Sequence, residues 1–220
     1  MADLATLGAA ALPEAVAAMA AAGVGWIQLR AKPRPPAPPP ADRDLLALAE
    51  RCAAAVAGTG ARLWIDDRAD LAALLALGGL PVAGLHVGQR DLPPSAARQV
   101  VGDALWIGQS THDEAQLAAA AEDPEVDVIA VGPVFPTCGK AAPDPVVGLD
   151  LVRRARARTD KPLVAIGGID AANLGAVLAA GADTVAVLGA ACRGDVGESC
   201  RALAAAADAA GRRSRGAPAP

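Results

Sequence analysis

Acidic side chains stand shortly after two short apolar runs of this chain. Asp67 follows the run at 62–65, and Asp91 follows the run at 84–87. In a parallel α/β protein the carboxyl ends of consecutive strands open on one face, so the two carboxylates are expected to converge there. Two carboxylates at such an edge can hold a Mg²⁺ ion that keeps waters and bridges phosphate oxygens. The spacing therefore predicts magnesium chemistry at this face.

Cations and hydroxyls occupy the same type of position in other parts of the chain. Arg30 and Lys32 follow the run at 26–29, Ser110 follows the run at 105–108, and Thr137 and Lys140 come shortly after the run at 126–131. Arginine binds phosphate in a planar bidentate manner and lysine acts as a point charge. These side chains predict a phosphate or diphosphate ligand beside the magnesium.

Glycines follow the last two apolar runs. Gly167 and Gly168 precede a helical segment, and Gly189 follows the next run. This arrangement resembles the phosphate site that the last two loops of a (β/α)₈ barrel build from backbone amides. A second phosphate group is therefore predicted.

Each of these residues also has a simpler interpretation. A single aspartate in this position can cap a helix, and Arg30 and Lys32 taken alone can be solvated loop charges. His86 lies in a short apolar run and is expected to be a hydrogen-bonded strand histidine rather than a base. The functional interpretation depends on the whole set lying at one face.

Alternating apolar runs and helical segments must position these side chains. The runs have the near-continuous hydrophobicity of strands buried on both faces of a parallel sheet; they are 26–29, 62–65, 84–87, 105–108, 126–131, 162–166 and 184–188. Helices are predicted at 42–57, 69–77, 113–121, 148–158 and 171–180, with a brief one between 92 and 104. This alternation predicts right-handed crossovers and a parallel sheet.

The pattern favours an α/β fold of the (β/α)₈ TIM-barrel type. Seven of the eight strands are recognisable, and the first is degenerate or missing because residues 1–11 contain no run rich in valine or isoleucine. A doubly wound open sheet is the alternative, but no G-x-G-x-x-G follows the first run. We expect one barrel domain at 1–210, a polyproline-like loop at 33–40 and a disordered tail at 211–220.

Composition limits the partners and the compartment. The chain has 220 residues, 53% of them hydrophobic, and a net charge of −4, which argues against a nucleic-acid partner. Its four cysteines show no metal-ligand spacing and indicate a reducing cytosol. The apolar segment 4–22 is expected to be a buried or amphipathic helix, and no stretch of the chain is expected to be long and charge-free enough to span a membrane. We predict a cytoplasmic protein that can form a homo-oligomer.

At these residues the sequence resembles the thiamine-phosphate synthases. The similarity runs from about residue 13 to 192, and its motifs occur in the family's order. They are Gln28-Leu29-Arg30-Ala31-Lys32, Ile65-Asp66-Asp67-Arg68, residues 86–93, residues 108–112, residues 132–137, Ala165-Ile166-Gly167-Gly168-Ile169 and Gly181-Ala182-Asp183.

The resemblance implies a transferase that couples hydroxymethylpyrimidine diphosphate to hydroxyethylthiazole phosphate, with Mg²⁺ as its cofactor and small molecules as its partners. Asp67 and Asp91 would bind the metal, and Arg30, Lys32 and Lys140 would be catalytic. The pyrimidine diphosphate would be held by Gln28, Arg30, Lys32, Asp66, Ser110 and Lys140. The thiazole phosphate would be held by Thr137, Gly168 and the backbone of Leu188 and Gly189; His86, Cys138 and Gly139 complete the substrate-binding set. The family reaction is dissociative and needs no nucleophile–base pair.

The sequence also departs from the family pattern. An opening strand that ends in aspartate is not recognisable, Asp66 replaces an asparagine, Gly139 replaces a threonine and Gly189 replaces a serine. Two alternatives therefore stay open: a thiazole tautomerase, and a non-catalytic barrel that binds thiazole phosphate or thiamine phosphate. Gly132, at a place where tautomerase-like relatives can carry a histidine, favours the synthase.

Overall fold

The computed structural model describes residues 1–32, 38–137 and 144–211. Within these ranges eight strands alternate with eight helices. In chain order they are β1 (Ala2–Asp3), α1 (Leu4–Ala21), β2 (Trp26–Arg30), α2 (Asp42–Val56), β3 (Arg62–Asp66), α3 (Ala69–Leu77), β4 (Val82–Val87), α4 (Pro94–Val101), β5 (Trp106–Thr111), α5 (Glu114–Glu122), β6 (Val128–Val131), α6 (Gly148–Arg158), β7 (Leu163–Ile166), α7 (Leu174–Ala179), β8 (Thr184–Ala186) and α8 (Val196–Ala209).

The strands form one curled parallel sheet in the order of the sequence, from β1 to β8. This sequential order is that of the (β/α)₈ TIM-type fold, so the predicted fold class is confirmed and the doubly wound alternative is wrong. At the seam between β8 and β1, the Met1 ammonium group donates a hydrogen bond to the Val187 carbonyl at 2.8 Å. Helix α1 packs against α8 across the same seam.

The first strand is present, so the expectation that it could be missing is wrong. Strand β1 has only two residues, which pair with β2 through Ala2–Leu29 and Asp3–Arg30. A strand this short is degenerate, as predicted, and leaves no periodic pattern in the sequence. It nevertheless ends in an aspartate, Asp3, so the departure from the family's opening strand also disappears.

The other elements follow the sequence pattern closely, with one shortened helix. The brief helix between β4 and β5 is α4, with eight residues. Helix α7 begins at Leu174 instead of near 171, because the side chain of Asp170 accepts the backbone N–H groups of Ala172 and Asn173 and holds them in a turn. Most of the predicted loop at 33–40 and of the predicted tail at 211–220 lies outside the described residues.

Alternate strand residues point outward into the layer between sheet and helices. Ile27, Leu63, Leu85, Ile107 and Ile129 are fully buried there. Alanines on the helices, such as Ala49 and Ala53 of α2, are buried against them. Burial of this kind stabilises the fold by about 25 cal/mol per Å² of apolar surface, and it fixes which strand residues face inward.

The inward layer at the amino ends of the strands contains all three tryptophans. The ring of Trp26 lies 4.8 Å from that of Trp64 and 5.7 Å from that of Trp106, centroid to centroid. Gly84 makes room for them, since a Cβ atom there would lie 2.3 Å from the Trp106 carbonyl oxygen and 2.8 Å from the Trp64 ring. These large side chains fill one end of the barrel and leave polar residues to the other.

Helix α1 is longer and more apolar than we expected any segment of the sequence to be. By length and composition alone its 18 residues could cross a membrane. In this fold, however, Leu12, Val16 and Met19 on α1 are buried in the core, and the backbone at Gly8 interrupts the helix. The helix expected at this segment is present and these residues of it are buried, whereas the expectation that no stretch is long and charge-free enough to span a membrane is wrong.

Candidate active site

The carboxyl ends of β2, β3 and β4 bring charged side chains together, as the sequence predicts. Inward-facing strand residues lead to them: Asp66 on β3 pairs with His86 on β4, and Gln28 on β2, which pairs with Trp64, lies one inward position before Arg30. Lys32, Asp67 and Asp91 follow in the adjoining loops. This convergence could be expected from the sequence, because parallel strands place all their carboxyl ends at the same face.

Asp66 contacts the two cations at the carboxyl end of β2 and in the loop that follows it. Its Oδ1 atom accepts a hydrogen bond from Gln28 Nε2 at 3.1 Å. Its Oδ2 atom lies 3.8 Å from both Arg30 Nε and Lys32 Nζ. The ion pairs keep Arg30 and Lys32 on one side of the pocket, where phosphate oxygens can be bound.

Asp67 has two features of a cation ligand. It adopts a left-handed backbone conformation with φ of 61°, which is strained for a residue with a side chain. Its backbone N–H donates to the His86 carbonyl at 2.8 Å, and its Oδ2 atom accepts from Lys32 Nζ at 2.9 Å. Its Oδ1 atom is buried and has no hydrogen-bond partner among the described residues. A buried, unpaired carboxylate oxygen is costly and fits a site for a cation.

Asp91 lies beside Asp67 and is fixed by the β4 loop. Its Oδ2 atom accepts the backbone N–H of Gly88 at 2.8 Å. Gly88 is needed for this approach, since a Cβ atom there would lie 2.9 Å from the same oxygen. No cluster of three or more acidic, histidine or cysteine ligands occurs in the described part of the chain. Two carboxylates nevertheless suffice for a Mg²⁺ that also takes water and phosphate oxygens.

The electrostatics of these acids reflect crowding of negative charge. Burial, together with the charges of Asp67 and Asp91, raises the pKa of Asp66 to about 7 against the opposing effects of Lys32 and Arg30. Burial also raises the pKa of Asp67, where Lys32 opposes and Asp91 reinforces the shift. For Lys32, burial lowers the pKa, but the facing Asp66 and Asp67 outweigh it and the pKa is raised. These shifts indicate a pocket that favours an added cation.

His86 and Ser110 form the neighbouring polar pair. His86 Nε2 and Ser110 Oγ are 2.8 Å apart, so the prediction of a hydrogen-bonded strand histidine is confirmed. Gln89 Nε2 donates to the Ser110 carbonyl at 2.6 Å and ties the β4 loop to β5. Ser110 is thereby held at the edge of the pocket.

The predicted thiazole-phosphate residues lie at the ends of β6, β7 and β8. Gly167 and Gly168 allow close packing against the loop after β6, since Cβ atoms would lie 2.5 Å from Pro133 Cβ and Pro136 O, respectively. Thr137 is half-buried, and Leu188 and Gly189 form a turn after β8. The backbone N–H groups of Ala172 and Asn173, just before α7, are not free, because the Asp170 carboxylate accepts both. The phosphate role of Gly168 therefore depends on backbone nearer to β7. The remaining predicted residues, Cys138, Gly139 and Lys140, lie outside the described residues.

Two polar residues of this face were missed from the sequence. Asp3 is fully buried and its Oδ1 atom pairs with Arg30 Nη1 at 2.6 Å. His112 lies between the Gly132 carbonyl, 2.5 Å from Nδ1, and Asp144 Oδ2, 3.5 Å from Nε2. The sequence around Asp3 carries no strand pattern. Its position three residues before Thr6, ahead of an apolar helical segment, suggests only a helix cap.

Comparison with known proteins agrees with this geometry. The family model described as thiamine monophosphate synthase matches residues 3–191. A thiamine-phosphate synthase of Mycobacterium sp. (strain KMS) is 46% identical over 185 residues, which cover 80% of this chain and 77% of that protein. Another from Koribacter versatilis (strain Ellin345) is 52% identical over 126 residues, so the match spans 57% of that relative's length.

A solved structure gives the same assignment. The thiamine phosphate pyrophosphorylase from Pyrococcus furiosus superposes with a TM-score of 0.75 and 29% sequence identity, covering 90% of each chain. The family model and the structural match both cover most of the chain. The chain belongs to the thiamine monophosphate synthase family.

Proposed function

We propose that this chain makes thiamine phosphate by joining a hydroxymethylpyrimidine diphosphate to a hydroxyethylthiazole phosphate, with release of diphosphate. Its family and its relatives are named for this synthesis. The observation that carries the proposal is the meeting of two carboxylates, Asp67 and Asp91, with two cations, Arg30 and Lys32, at one end of the barrel. A metal-assisted diphosphate site requires this combination.

Mg²⁺ is the proposed cofactor, held by Asp67 and Asp91. The unpaired, buried Oδ1 atom of Asp67 and the raised pKa of its carboxyl, due first to burial and in part to Asp91, support an added cation. Hard oxygen ligands of this kind suit Mg²⁺ rather than a softer metal. When bound, the ion would neutralise charge on the departing diphosphate.

Arg30 and Lys32 are proposed to hold the diphosphate oxygens next to the metal, since Lys32 Nζ lies 2.9 Å from Asp67 Oδ2. Arg30 is largely buried and fixed by carboxylates, so it offers a rigid donor. Lys32 is more exposed, with 40% of its side chain accessible. Its ammonium group can therefore change position and neutralise the negative charge that builds up on the leaving diphosphate. Gln28, Asp66, His86 and Ser110 line the adjoining space for the pyrimidine.

The proposed reaction is dissociative. The bond between the pyrimidine methylene carbon and the diphosphate oxygen breaks, and its electron pair stays on the diphosphate. The lone pair of the thiazole nitrogen then forms the new carbon–nitrogen bond. Neither step transfers a proton, so the site has to position two substrates and stabilise departing charge rather than supply a base.

The thiazole phosphate is proposed to bind at the ends of β6 to β8, on Thr137 and the backbone of Gly168, Leu188 and Gly189. Lys140, Cys138 and Gly139 were assigned to the same substrates by resemblance, and these assignments remain predictions.

The alternatives have lost part of their support. The non-catalytic barrel was motivated in part by a missing first strand, and β1 is present. The tautomerase would place a histidine at Gly132, but a Cβ atom there would lie 2.2 Å from the Ile166 carbonyl oxygen. That backbone position has no room for a side chain, so the synthase is the better-supported activity.

The test supplies both substrates with and without Mg²⁺ and measures thiamine phosphate and released diphosphate. Mg²⁺-dependent formation of both products at equal amounts is expected. Isomerised thiazole without coupling would point to the tautomerase, and ligand binding without turnover to the non-catalytic barrel.

Asp91→Ala is the variant that tests the metal assignment. Loss of one preorganised charge partner is expected to lower turnover roughly 10²–10³-fold and to raise the Mg²⁺ concentration needed for half-maximal rate. The matched control is Asp103→Ala, which removes an exposed aspartate just beyond the C-terminal end of α4 and should leave both values unchanged. Equal rates in the two variants would refute the proposed magnesium site.

We further propose a cytoplasmic location, in line with three free cysteines among the described residues and a biosynthetic role. Homo-oligomer formation remains a prediction from the sequence.

A further inference from the structure

We infer that Asp3 is a positioning residue for the reaction, which holds the Arg30 guanidinium in place for the substrate diphosphate. The inference rests on the proposed function and extends it to a residue outside the expected ligand set. Asp3 ends β1 and is directly paired with Arg30 across the parallel ladder. Its Oδ1 atom lies 2.6 Å from Arg30 Nη1.

The carboxylate of Asp3 does not cap the helix that follows it, although its position is that of a helix cap. Asp3 is the N-cap residue of α1, where aspartate usually accepts a backbone N–H of the first helical turn. Within residues 1–32 it accepts no such bond. Its Oδ2 atom instead accepts from Thr6 Oγ1 at 2.6 Å, and its Oδ1 atom is left to Arg30. Helix α1 therefore lacks a side-chain cap from Asp3, and the Asp3 carboxylate binds Arg30 at the pocket instead.

Burial makes this pair unusual for a structural contact. Asp3 is fully inaccessible and only 14% of the Arg30 side chain is exposed. Buried ion pairs are seldom better for stability than apolar residues of the same size, because both charges lose their hydration. A pair kept at the mouth of a charged pocket is better explained by the orientation that it gives to Arg30.

Arg30 is held on two sides. Asp3 binds Nη1, and Asp66 lies 3.8 Å from Nε on the other edge of the guanidinium. This arrangement fixes the plane of the group, and the geometry of bidentate phosphate binding depends on that plane. Without Asp3, Arg30 is free to turn toward Asp66 and Asp67 and to compete with the cation that those acids attract.

The predicted effect is specific to one substrate. Asp3→Asn keeps the size of the side chain and removes its charge. We expect the catalytic efficiency, kcat/KM, for the pyrimidine diphosphate to fall about 10–100-fold, the range seen when a supporting partner of a site residue is lost. The KM for the thiazole phosphate should stay within about twofold. Asp195→Asn, at the exposed N-cap of α8, is the matched control and should change neither value.

A double-mutant cycle separates positioning from folding. Asp3→Asn, Arg30→Gln and the double variant are compared for kcat/KM and for thermal unfolding. If Asp3 acts through Arg30, the double variant is no slower than Arg30→Gln alone. Additive losses, or a parallel rise of both KM values, would overturn the inference. Should Asp3→Asn fail to fold, Thr6→Val, which removes only the Oδ2 partner, is measured in the same cycle, with a smaller loss expected in the same direction.

Binding of inorganic diphosphate with Mg²⁺, measured by calorimetry, keeps the two hypotheses distinguishable. If the native chain forms no thiamine phosphate, the proposed function fails. The inference on Asp3 is then tested by this binding measurement alone. It is supported if Asp3→Asn and Arg30→Gln weaken diphosphate binding by the same factor and the double variant binds no more weakly than either of them. It is overturned if the losses add.

Discussion

Asp66 is the residue whose replacement tests the electrostatics of the site most directly. It stands where the family pattern has asparagine, and burial together with the charge of Asp67 raises its pKa from 3.8 to about 7. In the unfolded chain the carboxyl ionises near its ordinary value. The folded state therefore binds a proton more tightly than the unfolded state between pH 4 and pH 7. As pH rises through this window, the ionising carboxylate progressively destabilises the metal-free fold.

The size of the effect follows from the two pKa values. A change from 3.8 to about 7 corresponds to about 4 kcal/mol of lost stability above pH 7. Asp66→Asn removes this penalty but also loses the ion pairs to Arg30 and Lys32, which lie 3.8 Å away. We therefore expect the metal-free variant to be more stable than the native chain by about 1–2 kcal/mol at pH 8. The amide can still accept from Gln28.

Urea unfolding at pH 4, 6 and 8 in the presence of a chelator measures this difference. The gain from Asp66→Asn should be smallest at pH 4, grow to pH 7 and then level off. Asp103→Asn, an exposed aspartate, is the control and should show no such pH dependence. Added Mg²⁺ should reduce the gain, because a bound cation offsets the same negative charge. A gain that is constant with pH, or a variant less stable at pH 8 than at pH 4 relative to the native chain, would refute the reasoning.

Two further predictions concern glycines. Gly189→Ser should fit without strain, since a Cβ atom there has no neighbour within 4 Å; its hydroxyl is expected to lower the KM for thiazole phosphate about tenfold, as one hydrogen bond to a charged group can, with Gly189→Ala as the control lacking the hydroxyl. Gly84→Ala should destabilise the fold by about 2–4 kcal/mol in urea unfolding, because its Cβ would lie 2.3 Å from the Trp106 carbonyl oxygen. Gly25→Ala has open space and should be near neutral; equal stability of these last two variants would contradict the packing argument.

The sequence was sufficient to predict the barrel because seven of its strands carry continuous apolar runs. Residues such as Ile27, Leu63 and Ile107 face the helices and are fully buried, and this burial requires the hydrophobicity that makes the runs visible. Strand β1 has only two residues, so no period can be detected in it. Its place is fixed by pairing with β2, which is a tertiary interaction.

The site was predictable to the same extent and for a related reason. Asp67, Asp91, Arg30 and Lys32 follow visible strands, so their convergence could be deduced from topology. The left-handed backbone of Asp67 and its unpaired Oδ1 atom could not, because both depend on how the β3 loop packs against His86. Asp3 could not be found either, since it follows the one strand that has no pattern.

The balance of charge explains why these details matter together. In the described part of the pocket the acids outnumber the cations by four to two: Asp3, Asp66, Asp67 and Asp91 face Arg30 and Lys32. One acid, Asp3, is already committed to Arg30 through its 2.6 Å contact, which leaves the excess negative charge on the three acids around Lys32. Such a pocket repels a diphosphate until a cation joins it. This excess, rather than any single aspartate, is our reason for proposing Mg²⁺ at the ends of β3 and β4. It also gives a reason for fixing Arg30 in place. An unrestrained guanidinium would pair with Asp67 and Asp91, the proposed metal ligands, and weaken their binding of Mg²⁺.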